Sequence, residues 1–177
     1  MELSKLLEVT KNASKSVEFP AKSVLISPNT KERVFFFVVS GQLQQYYKIK
    51  GKNHVIRLID EGDFCESIRL LKFGKNAFEY IETVSKVSVI QFDYFFLRNL
   101  IEINTEISNF FREIIENYML EQETRVINLI SLSPKERYQN FIQSSHEKIG
   151  LFPDKILASY LGITKETMSR FRNKKLI

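Results

Sequence analysis

Between Lys155 and Lys175 the chain reads Lys-Ile-Leu-Ala-Ser-Tyr-Leu-Gly-Ile-Thr-Lys-Glu-Thr-Met-Ser-Arg-Phe-Arg-Asn-Lys-Lys, and polar groups suited to nucleic acid recur there at helical spacing. Lys165, Glu166, Thr167, Ser169, Arg170, Asn173 and Lys174 share the outward side of one predicted helix. Arginine or lysine can bond guanine edges, glutamate can accept from the cytosine amino group, and hydroxyls or amides can reach phosphate. The inward positions fit as well. Leu157, Ala158 and Leu161 form one apolar face, and Met168 and Phe171 continue it beyond Gly162. Gly162 suits a tight turn, and Thr164 suits an N-cap. Two helices meeting at a glycine form a helix-turn-helix. The net charge is +5, and residues 165–175 carry five bases and one acid, so most of the excess lies on this segment. Phosphate attraction uses charge placed this way, although a solvated basic helix is the plainer reading of the same residues.

Other chemistries find little support. No nucleophile–base motif or phosphate loop occurs, so no enzyme activity is expected. Cys65 is the single cysteine, too few for an intrachain disulfide or an iron–sulfur cluster. His54 and His146 lie far apart and have no metal-ligand spacing. No metal is expected, and a haem on His54 or Cys65 has only the absence of a prohibition in its favour. No apolar run approaches the roughly 20 residues needed to span a bilayer. No signal-peptide pattern opens the chain, so a cytoplasmic protein without a membrane partner is expected.

The elements that must position the basic segment follow from periodicity. An N-terminal helix is predicted over 2–14, with Leu3, Leu6, Leu7 and Val9 inward. Gly41, Gly51, Gly62 and Gly74 then punctuate short runs rich in Val, Ile, Phe and Tyr, which reads as an antiparallel sandwich or barrel. The predicted strands are 23–26, 34–39, 42–49, 55–59, 80–84 and 88–92, with a hairpin turn at Lys50-Gly51-Lys52-Asn53. Leu97, Leu100, Ile103, Ile107, Phe110, Ile114 and Tyr118 mark one line of a long helix, in two parts, reaching about Leu132. Phe111, Ile115, Met119, Gln122 and Val126 mark a second line, left for a partner helix or buried within one chain. Ser133-Pro134-Lys135-Glu136 is a capping box opening a helix with Tyr138, Phe141 and Ile142 inward. A short loop bracketed by Gly150 and Pro153 leads into the helix-turn-helix. The predicted organisation is a β domain over 1–96, a long helix over 97–132 and a helical domain over 133–177.

With Glu61-Gly62-Asp63-Phe64 in the β domain, the long helix, and Ala158-Ser159-Tyr160-Leu161-Gly162 followed by Ile163 to Arg170, the chain resembles the Crp/Fnr family of bacterial transcription regulators, in particular its short, divergent Bacteroidetes members. The resemblance implies an α+β fold: an N-terminal antiparallel β-roll, similar to cyclic-nucleotide-binding domains, a long dimerisation helix and a C-terminal helix-turn-helix. It implies a homodimer on double-stranded DNA, with RNA polymerase as a further partner. Carried over by motif, Lys165, Glu166 and Arg170 read bases, Thr167 and Ser169 reach phosphate, and Asn173 and Lys174 add backbone contacts.

Two departures qualify the resemblance. Members that bind cyclic AMP carry a Gly-Glu pair and, some ten residues on, an Arg-Ser or Arg-Thr pair. Here Glu66 is kept, but Ala77 or Phe78 takes the arginine's place, with Glu79 beside it. Arg69 or Lys75 would have to substitute by another geometry. Cyclic AMP is therefore not expected, no cofactor is assigned, and an effector has no stated identity. Phe64, Glu66, Ser67, Phe78 and Tyr80 are the candidate pocket residues. The second departure is a missing β-hairpin wing after the recognition helix, which implies weaker binding per half-site. The competing reading is a small-molecule sensor or scaffold whose C-terminal helices bind a protein instead of DNA.

Overall fold

The computed structural model describes residues 3–173, with side chains from Leu6 to Asn173. A short helix α1 (Leu3–Val9) precedes eight strands: β1 (Ser14–Phe19), β2 (Val24–Ile26), β3 (Val34–Ser40), β4 (Leu43–Ile49), β5 (Lys52–Ile59), β6 (Phe64–Cys65), β7 (Glu79–Thr83) and β8 (Val87–Asp93). A single-and-a-half-turn helix α2 (Ile68–Phe73) sits between β6 and β7. Six helices follow: α3 (Tyr94–Ile103), α4 (Thr105–Ser131), α5 (Pro134–Ser144), α6 (His146–Leu151), α7 (Asp154–Leu161) and α8 (Lys165–Asn173).

The strands form two four-stranded antiparallel sheets, ordered β1-β8-β3-β6 and β2-β7-β4-β5. Ile26, Phe36, Val38, Leu43, Ile59, Ile81 and Val89 fill the space between them. Gly41 turns β3 into β4 at φ +91°, and a Cβ there would stand 2.3 Å from the Lys86 carbonyl oxygen, so only glycine fits. Lys50 and Gly51 both take positive φ in the two-residue β4–β5 turn, the geometry that matches strand twist.

The expected α+β architecture is present, with several corrections. Strand β1 and the two-residue β6 are absent from the sequence reading: Ser14–Phe19 alternates without strong apolar character, and β6 is too short for periodicity to register. Strand β5 begins at Lys52, where pairing with Ile49 extends the hairpin beyond its apolar part. Helix α1 ends at Val9, which is exposed, while Leu6 is buried. The long helix is in two parts, as read, and the break falls at Asn104, whose Oδ1 accepts from the amides of Glu106 and Ile107 and so caps α4. The two predicted apolar lines are partly exchanged. Ile103, at the break, is 81% exposed, whereas Phe111 is buried against the β domain with Phe35 and Phe64. The expected loop around Gly150 is instead α6, with Gly150 inside it.

The capping box forms as read: the Ser133 side chain accepts from Glu136 N, and Glu136 Oε2 accepts from Ser133 N at 2.8 Å. Tyr138 and Phe141 are buried. They join Phe152, Leu157, Leu161, Met168 and Phe171 in a core that also takes in Tyr46, Val55 and Leu58 of the β domain. The helical region thus packs directly on β4 and β5.

Candidate nucleic-acid interface and effector cleft

The α7–α8 turn is built from one glycine and one cap. Gly162 takes φ +65° and its amide bonds the carbonyls of Ala158 and Ser159, closing α7. Thr164 Oγ1 then accepts from Thr167 N at 3.1 Å and starts α8. Met168 and Phe171 are buried under α8, with the Phe171 ring 5.3 Å from that of Tyr138. That burial turns Lys165, Glu166, Ser169, Arg170 and Asn173 to solvent together, with Thr167 half-buried at the edge. Lys174 lies outside the described residues. Arg172 has a structural job: it pairs with Asp154 and donates to the Ile149 carbonyl at 2.8 Å, tying α8 to α6 and α7. Arg137 binds the Leu132, Leu161 and Gly162 carbonyls, fastening the turn to α5. Neither arginine is singled out by sequence, because nothing local distinguishes an anchoring arginine from a solvated one.

The β domain carries a cleft of about 340 Å³ between β4, β5, α2 and the side of α4, lined by Tyr47, Arg57, Glu66, Arg69, Phe78 and Tyr118 among others. The five candidate pocket residues do not come together there. Glu66 and Phe78 line it. Phe64 lies instead in the aromatic cluster under α4, and a neighbouring cleft. Ser67 is fully buried and caps α2, accepting from Leu70 N at 3.2 Å. Tyr80 stacks on Tyr46, with centroids 5.2 Å apart, on the side facing the helical region. Sequence adjacency misleads here because Glu66 and Phe78 lie just outside β6 and β7, so the two-residue strand period does not carry through to Phe64 and Tyr80.

Arg57 is the residue missed. It is buried, sits 4.6 Å over the Tyr118 ring and lies 3.9 Å from Asp63 Oδ1. Burial pushes the Glu66 carboxyl above its usual range, with Arg57 pulling the other way. Burial likewise raises Asp63, to about 6, against the lowering influence of Arg57. Ala77 is buried, and Glu79 is buried with its Oε2 accepting from Phe78 N at 2.9 Å. The Arg69 guanidinium lies 3.9 Å over the Phe78 ring, and its Nε is buried without a partner.

A model of the cyclic nucleotide-binding domain matches residues 16–104. The chain belongs to the cyclic nucleotide-binding domain family. Among curated members it is 25% identical over 91 residues to the cAMP-activated global transcriptional regulator CRP of Salmonella typhimurium, 51% of this chain and 43% of that one. The match thus spans under half the length of the relative. A CooA variant from Carboxydothermus hydrogenoformans superposes with TM-score 0.79 at 18% identity, over 98% of this chain and 84% of that one. FixK2 of Bradyrhizobium japonicum gives 0.77 at 16%, over 91% and 83%. A Crp/Fnr family protein from Eubacterium rectale gives 0.75 at 13%, over 99% and 86%. The Crp/Fnr likeness read from the sequence is borne out in the fold: domain, long helix and terminal helices follow in the same order as in these family members. Among the described residues no helix is long and apolar enough to cross a membrane.

Proposed function

We propose that this member of the family is a dimeric, DNA-binding transcription regulator. The observation that carries the proposal is the outward face of α8: Lys165, Glu166, Ser169, Arg170 and Asn173 exposed together on a helix whose opposite face is buried. On this reading α8 enters the major groove, Lys165, Glu166 and Arg170 reach base edges, and Thr167, Ser169 and Asn173 reach phosphate. Lys174 belongs to the same face by sequence.

Dimerisation is assigned to α4. Ile115, Met119, Val126 and Ile130 are all more than half exposed, at spacings of four, seven and four along a 27-residue helix. A second copy of α4 covers such a stripe, and two recognition helices then meet half-sites about one helical turn apart. The cytoplasm, where DNA and RNA polymerase are available, is the compartment this reading requires.

Cyclic AMP is not the effector on this reading. A cyclic phosphate needs a cation where Ala77 and Phe78 stand; the two arginines of the cleft are engaged elsewhere, Arg57 beside Asp63 and the Tyr118 ring and Arg69 over the Phe78 ring, and Glu66 and Glu79 add carboxyls to the same lining. An unpaired phosphate in a half-buried site costs several kcal/mol, on the order of a lost binding interaction or more. No catalytic role is assigned.

Selection of bound sequences from random duplex DNA tests the proposal. A two-fold symmetric motif is expected. Arg170→Ala should then weaken binding to that motif by roughly 1–3 kcal/mol and relax preference at one base position. A selection that returns no motif would argue that α8 docks on protein, and an Arg170→Ala protein that binds the motif as tightly as the parent would remove the base-reading role of Arg170.

A further inference from the structure

The β4–β5 hairpin is strongly basic and lies beside the start of α8. No acidic residue occurs between Gln42 and Ile59, while Lys48, Lys50 and Lys52 crowd its tip. All three lysines are exposed, as is His54. None of Lys48, Lys50, Lys52 and Lys155 forms an ion pair with a carboxylate among the described residues. The hairpin and the helix-turn-helix enclose an open cleft of about 520 Å³. Lys52, Asn53 and His54 line it from the hairpin, and Lys155, Thr164 and Lys165 from the helices. No acid is among its lining residues.

The two walls are held in register by specific bonds. Ser159 on α7 accepts from Val55 N at 3.0 Å and donates to the Asn53 carbonyl at 3.1 Å. Strand β5 is the edge of its sheet, so Ser159 satisfies backbone groups that no neighbouring strand reaches. Arg125 on α4 donates to the carbonyls of Val55 and Tyr160, both at 3.1 Å, and joins the β domain, the long helix and α7 at one guanidinium. Lys148 adds a bond to Asp60 at 3.0 Å.

We infer that the β4–β5 hairpin is a second DNA-contacting element, in which Lys48, Lys50 and Lys52 bind backbone phosphates beside the half-site that α8 reads. This rests on the DNA-binding reading above and extends it to the β domain, which would otherwise have no direct contact with the nucleic acid. Three lysines around an acid-free cleft, Lys52, Lys155 and Lys165, with Lys48 and Lys50 at the adjoining hairpin tip, repel one another, and a polyanion relieves that repulsion. The shared wall with Lys165 favours duplex DNA over a free small anion, because a backbone strand passing the start of α8 meets the hairpin next. Such contacts add affinity without base preference, since phosphate carries no sequence information.

The test is salt-dependent binding of the full chain to its selected duplex. Each phosphate contact contributes about 0.9 to the slope of log K against log salt concentration. The triple variant Lys48→Ala, Lys50→Ala, Lys52→Ala should lower the slope by about 2 or more, weaken binding about tenfold or more at 0.1 M salt, and leave the selected motif unchanged. Lys15→Ala, on exposed β1 of the other sheet, should change neither quantity appreciably. An unchanged slope in the triple variant, with the parent still selecting its motif, would overturn the hairpin's role alone. A parent that selects no motif would remove the DNA reading and this inference with it. Pyrophosphate that stabilises the parent and not the triple variant, with the DNA slope unchanged, would assign the cleft to a small anion and overturn the inference.

Discussion

Asp63 shows how one carboxyl is shaped by burial and a neighbour. Its Oδ2 accepts from Asp60 N at 3.0 Å and Arg57 stands beside it, yet burial dominates and raises it to about 6. Below its ordinary value of 3.8 the group is protonated in the folded and unfolded chain alike. Between 3.8 and about 6 only the folded chain holds the proton, so this residue's contribution to stability falls as pH rises through that window and then levels off. Asp63→Asn should flatten that part of a urea-midpoint-versus-pH curve. A curve with the parent's slope between those pH values would place the proton elsewhere. At the same scale, Arg172 on α8 and Arg137 on α5 show that a basic side chain at the candidate interface can serve the fold: both bind backbone carbonyls within the helical region.

Among the elements, the α7–α8 turn sets the geometry of the candidate interface. Gly162 at φ +65° is left-handed, and a Cβ there would meet Leu129 Cδ2 of α4 at 2.9 Å. Gly162→Ala should therefore destabilise the chain by about 1–2 kcal/mol from backbone strain, with the Leu129 contact adding to it. Thermal or denaturant unfolding measures this, and an unchanged midpoint would mean the turn relaxes into another conformation. The capping box at Ser133 and the cap at Asn104 bracket α4, so the length of the long helix is set by local hydrogen bonding at both ends.

For the whole molecule, the exposed apolar face of α4 is the surface that a second copy would cover. Met119 is 64% exposed and Val126 52%. The pair Met119→Glu and Val126→Glu should turn a dimer into a monomer in sedimentation, because four carboxylates then face one another across the seam in apolar surroundings. A variant that sediments as the parent does would move the interface to another surface. Since the β4–β5 hairpin, α4 and α7 meet at Arg125, a change in the cleft lined by Glu66 and Phe78 has a short physical route to α8: Tyr118 lines that cleft and lies two helical turns before Arg125 on α4.

Local rules made much of the chain legible. The glycine-spaced strands, the Ser133 capping box, the Gly162 turn and the burial of Met168 and Phe171 each depend on nearby residues, so periodicity and turn chemistry reveal them. The pocket residues were not legible in the same way. Phe64, Ser67 and Tyr80 lie close to Glu66 and Phe78 in sequence, but the chain leaves strand geometry at the end of β6 and the start of β7, and the short helix α2 intervenes, so their side chains reach different environments. Arg57 joins the cleft from another strand, and only folding brings it there. The sequence by itself determined the α+β architecture, the family likeness and the polar face of α8, because those follow from residue spacing. Only the tertiary structure decided that Phe111 is core while Ile103 is exposed, that Ser159 seals the edge of β5, and that the basic hairpin stands beside the start of α8. Those facts depend on contacts between residues some fifty to a hundred positions apart, where no local pattern carries the information.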